Sequence, residues 1–308
     1  MTGLHLGIDV GGTNVKAVAV DGTGRLVARW REKTQPVGAP EAATRCLNGL
    51  LAHLAATGRD TSDVVSLGVG VPGLVEADGR VRHAANLGIG ADSTDFASQL
   101  TNLTGVSPVT VNDANAAALG AWSTVAPKGT TSLSCLSIGT GVAVGTILNG
   151  QLWVGSAGAA GEIGHMQVVA GGHLCTCGSR GCLETVLAGR TLRTLGGATE
   201  LFRNARGDVQ AATVLNRWVG HLAWTVQLLI ALHDVEVVVL SGGVTDVGVP
   251  LLDAVRAALS RQAPTFLSAH GPIEERVLLP TSDTPLGAVG AAFAAAPQLL
   301  PGQQAGGS

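Results

Sequence analysis

The sequence predicts an α/β protein of two similar lobes, each a sheet with helices packed on it. Three observations carry this expectation. A strand, Gly turn, strand, Asp-Gly turn, strand pattern opens the chain, the same pattern returns around Ile138, and β-branched runs alternate with helical ones between and after them. At 308 residues the chain also exceeds what one hydrophobic core usually organises. A cleft is expected between the lobes.

The elements follow in order. Leu4 to Val10 alternates as a strand, Gly11-Gly12 turns it, Thr13 to Val20 returns, and Asp21-Gly22-Thr23-Gly24 turns into a third strand from Arg25. Pro40 to Ala56 has helical spacing, Val64 to Val71 reads as a strand, Ser93 to Asn102 as a helix, and Val109 to Asn112 as a strand entering an Ala-rich helix. From Leu133 the opening pattern recurs: Ile138-Gly139-Thr140-Gly141 answers Ile8-Asp9-Val10-Gly11-Gly12-Thr13, and Asn149-Gly150 answers Asp21-Gly22. Beyond a Gly- and Cys-rich stretch come a long helix at Val209 to His233, a strand at Val235 to Leu240 and the loop Ser241-Gly242-Gly243. A final helix spans Pro285 to Ala296, and Pro301 to Ser308 is expected to fray. The lobes are placed at 1–112 plus 290–308 (smaller) and 113–289 (larger, carrying the cysteine cluster).

Composition excludes several classes. Charged residues are 13% of the chain, against roughly 25% on average, while apolar residues are 46% and glycines number 44. Net charge −3 offers no footprint for nucleic acid or an anionic membrane. Every apolar run is broken before the ~20 residues a bilayer span needs, and Met1 to His5 carries no export signal, so a cytoplasmic protein is expected. No Walker sequence is present, and Gly68-Val69-Gly70-Val71-Pro72-Gly73 does not open a helix as a dinucleotide loop would.

Gly7-Ile8-Asp9-Val10-Gly11-Gly12-Thr13-Asn14-Val15-Lys16 places a carboxylate at a strand end, then two residues without Cβ, then a hydroxyl. Such a turn lets backbone N–H groups and Thr13 approach a phosphate while Asp9 reaches its Mg²⁺ through water. Gly139-Thr140-Gly141 repeats the arrangement, and Gly242-Gly243 permits close approach of a flat ring. Asp113, at a strand–helix junction, has two readings: a helix N-cap or a catalytic base. Glu162 and Glu184 flank the cysteine segment and suit the hydroxyls of a polyol. In Cys175-Thr176-Cys177-Gly178-Ser179-Arg180-Gly181-Cys182 three thiols fall within eight residues, too close to staple the fold, and Gly178 and Gly181 allow them to converge on a metal. His165 and His173 compete to be its fourth ligand. With four protein ligands the site would be structural.

Together these motifs resemble the ROK family of sugar kinases and repressors over nearly the whole chain. The resemblance rests on Asp9-Val10-Gly11-Gly12-Thr13, Gly70-Val71-Pro72-Gly73, Asn112-Asp113, Gly139-Thr140-Gly141, Gly161-Glu162-Ile163-Gly164-His165 and the knuckle ending Gly181-Cys182-Leu183-Glu184. It implies two ribonuclease-H-like, actin-type lobes and ATP-dependent phosphorylation of a hexose, with glucose favoured over N-acetylmannosamine, fructose or another hexose. It implies Asp113 as general base, with Gly73, Asn86, Asn112, Asp113, Glu162, His165 and Glu184 around the sugar. ATP and Mg²⁺ would use Asp9, Gly11, Gly12, Thr13, Lys16, Gly139, Thr140, Gly141, Gly242 and Gly243. Zn²⁺ would use His165, Cys175, Cys177 and Cys182, leaving His173 a bystander, and a homo-oligomer (dimer or tetramer) is expected. The family's glucokinases commonly carry a Trp shortly after the residue matching Asn86, where this sequence reads Leu87-Gly88-Ile89-Gly90-Ala91. Kinase activity is thus better supported than glucose specificity. The opening hairpin begins at Leu4, leaving no room for the winged helix of the family's repressors. A sugar sensor without catalysis is the alternative from another class, and the retained Asp113 opposes it.

Overall fold

A computed structural model describes residues 3–34, 38–76, 78–84, 87, 97–269, 271–281 and 284–301. The chain forms two compact units, Met1–Thr124 with Leu152–Ala160 and Thr284–Ser308, and Val125–Gln151 with Gly161–Asp283. The first begins with β1 (Leu4–Val10), β2 (Asn14–Asp21), β3 (Leu26–Lys33), α1 (Ala39–Ala56), β4 (Val64–Val71), the short pair β5 (Leu74–Val75) and β6 (Val81–Arg82), α2 (Ala97–Thr104), β7 (Val109–Asn112) and α3 (Asp113–Thr124). The second is built from β8 (Leu133–Ile138), β9 (Val142–Leu148), β10 (Gln151–Leu152, at the boundary between the units), α4 (Glu184–Leu187), α5 (Ala198–Asn204), α6 (Val209–His233), β11 (Val237–Ser241), α7 (Val249–Gln262) and β12 (Val277–Leu278). Helix α8 (Leu286–Ala294) then returns to the first unit.

The repeated hairpin becomes two sheets of equivalent order, β3-β2-β1-β4-β7 and β10-β9-β8-β11-β12. In each, the first strand is antiparallel to the second and parallel to the strand on its other side. The predicted turns have the backbone they need: Asn149 and Gly150 sit at φ 52 and 70 between β9 and β10, as a two-residue primed turn requires. Helix α6 fills its predicted range, opened by the Asp208 side chain, which accepts from the N–H groups of Gln210 and Ala211, and closed by Asp234 at φ 45. The helix expected over Ser93 to Asn102 is α2, at Ala97–Thr104; residues 91–96 lie outside the described ones. No helix among the described residues is long and apolar enough to cross a membrane.

Strand β1 is buried on both faces. Leu4, Leu6, Ile8 and Val10 join a core with Cys46, Leu47, Leu50 and Leu54 of α1, while its alternate residues face α8, where a Cβ on Gly7 would lie 2.0 Å from the Ala288 carbonyl oxygen. The second unit has its own core of Leu136, Ile138, Val238 and Leu240 with Leu222, Val226 and Leu229 of α6 and Val255 of α7.

Backbones touch where α3 meets α8. A Cβ on Gly120 would stand 2.1 Å from the Leu286 carbonyl oxygen, and one on Gly290 would stand 1.6 Å from that of Ala116. Replacing a mid-helix Gly with Ala ordinarily stabilises by ~0.5–1 kcal/mol, but here the added methyl meets backbone that cannot turn aside. Gly290→Ala is therefore expected to destabilise by ~3 kcal/mol or more, at or above the top of the usual overpacking range. A denaturant midpoint equal to or above the parent's would contradict this packing.

Candidate active site and metal cluster

Because β1, β4 and β7 run parallel, their carboxyl ends bring Asp9, Gly73 and Asn112-Asp113 to one edge of the first sheet, where open α/β sheets hold ligands. Asp9 pairs in register with Lys16 of β2, so the two side chains share a face. Burial raises the Asp9 carboxyl above its ordinary pKa, and the Lys16 charge opposes that rise. A Cβ on Gly287 would fall 2.7 Å from Asp9 Cγ, so the start of α8 leaves room for this carboxylate only by lacking a side chain. In the turn that follows, the Gly11 N–H donates to the Asn14 carbonyl (3.0 Å) and the Thr34 N–H to the Thr13 carbonyl (3.0 Å), while the Thr34 hydroxyl donates to the Gly11 carbonyl (2.5 Å). Gly12 and Thr13 stay exposed at the tip.

The helix-capping duty at α3 falls on Asn112. Its Oδ1 accepts from the N–H groups of Ala114 (3.0 Å) and Asn115 (3.1 Å), and its Nδ2 donates to the Gly73 carbonyl (3.0 Å). Asn112 thereby clamps the Gly73 loop to the helix start, and Gly73 at φ 97 fits because a Cβ there would meet the Arg82 carbonyl oxygen at 2.5 Å. Asp113, half-buried, accepts from the Ala114 N–H (2.9 Å). Asn86 lies outside the described residues.

In the second unit, parallel β8 and β11 end side by side, bringing Gly139-Thr140-Gly141 next to Gly242-Gly243. The glycines here differ in what requires them. Gly242, at φ 89, could not carry a Cβ, which would meet the Ile138 carbonyl oxygen at 2.3 Å, and a Cβ on Gly141 would fall 2.5 Å from Glu184 Oε2. At Gly139 and Gly243 a Cβ would meet nothing within 4 Å, and neither has a left-handed φ. The fold does not demand glycine at these two positions; they leave open space for a ligand to approach the backbone. The Gly189 N–H holds the first loop by donating to the Gly139 carbonyl (2.8 Å).

One ligand atom from each of His165, Cys175, Cys177 and Cys182 falls within 4.8 Å of the others, and His173 is not in this group. Cys177 Sγ lies 3.7 Å from Cys182 Sγ, and Cys175 Sγ lies 3.6 Å from His165 Nδ1. Tetrahedral zinc, with Zn–S near ~2.3 Å and Zn–N near ~2.0 Å, implies edges of about 3.8 Å and about 3.5 Å. The donor set and its spacing fit that ion. The Ser179 backbone N–H draws the Cys177 thiol down to about 7, whereas burial pushes Cys182 up. Glu162 Oε2 stands 3.8 Å from His165 Nε2; partial burial raises its carboxyl pKa, with the His165 charge opposing and Glu184 adding to the rise. Glu184 is buried and engaged: Arg190 Nη2 is 2.5 Å from Oε1, the Thr176 hydroxyl donates to Oε1 (3.4 Å), and the Val142 N–H donates to Oε2 (3.1 Å).

Comparison with known proteins decides the family. The family model described as the ROK family matches residues 5–297. The chain belongs to the ROK family. Among ROK relatives, a glucokinase from Halalkalibacterium halodurans is 31% identical over 278 residues, covering 82% of this chain and 84% of that one. An N-acetylmannosamine kinase from Yersinia pseudotuberculosis is 33% identical over 266 residues, covering 83% and 88%. The crystal structure of a ROK family glucokinase from Streptomyces griseus in complex with glucose and AMPPNP superposes with a TM-score of 0.80 at 29% identity, covering 96% of this chain and 100% of that one. In this ROK chain, sequence reading missed Arg190, the partner of Glu184, and Gly287, which leaves room for Asp9. Neither stands at a helical or strand spacing from its partner, so no periodicity pointed to it.

Proposed function

We propose that the chain is an ATP-dependent hexose kinase, moving the γ-phosphoryl group of ATP to a sugar hydroxyl. The observation that carries this reading is the full-length likeness to a ROK glucokinase described with glucose and AMPPNP. Glucose and N-acetylmannosamine kinases are similar to this chain to nearly the same degree, so the reading extends to hexoses as a class. The equivalent strand orders of the two sheets support ribonuclease-H-like lobes.

In this reading Asp113 accepts the proton of the attacking hydroxyl, and Gly73, Asn86 and Asn112 shape the sugar loop on the same side. Glu162, His165 and Glu184 read further hydroxyls. Backbone N–H groups of Gly11, Gly12 and Thr13, and of Gly139, Thr140 and Gly141, cradle the phosphates, with the adenosine over Gly242-Gly243. Mg²⁺, when bound, neutralises charge on the transferring phosphoryl group, and Asp9, balanced by Lys16, orients its water shell. Zn²⁺ at His165, Cys175, Cys177 and Cys182 would hold the knuckle that presents Glu184. A cytoplasmic homo-oligomer, dimer or tetramer, completes the proposal.

A coupled ADP-release assay across glucose, N-acetylmannosamine, fructose and mannose tests it. At least one hexose should drive Mg²⁺-dependent ADP release well above the sugar-free rate, and the kcat/KM ranking then assigns the substrate. ADP release that no hexose accelerates would overturn the kinase reading.

A further inference from the structure

We propose that the second unit carries a separate anion site for a small phosphomonoester, in a cavity between the cysteine-rich loop and α6. The cavity measures about 560 Å³, within the range of small-molecule sites. Its polar lining is His173, Arg180, Arg217 and His221, its apolar lining includes Leu174 and Val186, and no carboxylate lines it. In a chain of net charge −3, two arginines beside an acid-free cavity mark a local concentration of positive potential.

The arginines are what make it a receptor. Arg25, Arg82, Arg190, Arg203 and Arg276 each pair with a carboxylate. Among the described residues Arg180 and Arg217 have no such partner, so both guanidinium groups remain available to grip a phosphate bidentately. They come from two different elements. Arg217 and His221 lie one turn apart on α6, hence on one face. Arg180 is bridged to Leu174 across the loop, which the Gly181 N–H closes by donating to the His173 carbonyl (2.8 Å). Burial and the neighbouring Arg217 charge hold the His221 pKa down, leaving its imidazole a neutral hydrogen-bonding edge beside the cations. Leu174 and Val186 supply apolar wall for a carbon body. A phosphate joined to a few carbons uses both kinds of surface; bare phosphate uses one.

None of these residues belongs to the proposed hexose or nucleotide contacts, so the site can be tested with the catalytic one filled. The zinc-loaded full chain, saturated with AMPPNP and its best hexose, is titrated by calorimetry with inorganic phosphate, glycerol 3-phosphate and glucose 6-phosphate. The phosphomonoesters should bind more tightly than inorganic phosphate. Arg217→Gln, and separately Arg180→Gln, should weaken them by ~10-fold or more, the scale of one lost hydrogen bond to a charged group, with melting temperature and kcat unchanged. No binding beyond the filled catalytic site, or undiminished binding by Arg217→Gln, would overturn the site. Equal affinity for inorganic phosphate would overturn the phosphomonoester. If phosphates do not bind and Arg217→Gln instead disrupts self-association in sedimentation, the face is a contact between copies and the proposal fails.

Discussion

Asp113→Asn is expected to lower kcat by ~10²-fold or more, the scale for removing a general base, while folding stability stays within ~0.5 kcal/mol of the parent. The two halves of this expectation come from different atoms. A carboxylate is a poor base for a free sugar alcohol. In a loose phosphoryl-transfer transition state the attacking oxygen becomes acidic as its bond to phosphorus forms, and a fixed carboxylate then takes the proton. Asn keeps the shape and one acceptor oxygen, so sugar KM should change modestly, but it cannot take that proton. Stability is spared because Asn keeps an acceptor oxygen for the Ala114 N–H that Asp113 engages, while Asn112 caps α3 by accepting from Ala114 and Asn115. The control follows directly: Asn112→Ala should cost ~1 kcal/mol or more, a cap's typical worth, and release the Gly73 carbonyl as well. Near-normal kcat in Asp113→Asn would refute the base and leave Asp113 a structural residue at the start of α3.

Cys177→Ala is expected to reduce zinc from about one ion per chain to none, lower stability by several kcal/mol, and abolish most activity. The residue is exposed, so its thiol fills no cavity, and the loss of packing alone should be near zero. Any large effect must pass through the metal, whose binding free energy is folding free energy for the segment it gathers. Activity should fall with it because the knuckle carries Glu184 and fixes His165. Chelator-treated parent protein should match the variant in melting temperature. Full zinc content in purified Cys177→Ala, or parent protein without zinc, would sink the assignment.

Much of this was legible in the sequence, and what was not has physical reasons. Ile8 and Ile138 announce the two sheets because Gly turns and alternating strands leave strong local patterns. The span of α6 was legible because Asp208 caps it and Asp234 adopts the left-handed conformation that ends it. The four donors at His165, Cys175, Cys177 and Cys182 could be named: spacing allowed either His165 or His173, the family resemblance chose His165, and the coordinates gather His165 with the cysteines. The division of labour between Asn112 and Asp113 was hidden, because adjacent residues both suited to capping differ only in which side chain turns back onto the helix. Arg190 was hidden for another reason: it follows Glu184 through a break at Ala188 and Gly189, where helical phase no longer predicts neighbours.

The return of α8 to the first unit makes the first-made sheet depend on the last helix of the chain. Helix α8 seats its Gly and Ala backbone against β1, β4 and α3, so the sheet that is synthesised first remains uncovered on one face until residues 286–294 arrive. The second unit ends at Asp283 and does not draw on that helix. Any chain cut short before α8 therefore leaves an apolar face of the first sheet open to whatever else is present. A chain truncated after residue 283 should display a protease-resistant second unit tethered to a protease-sensitive first one.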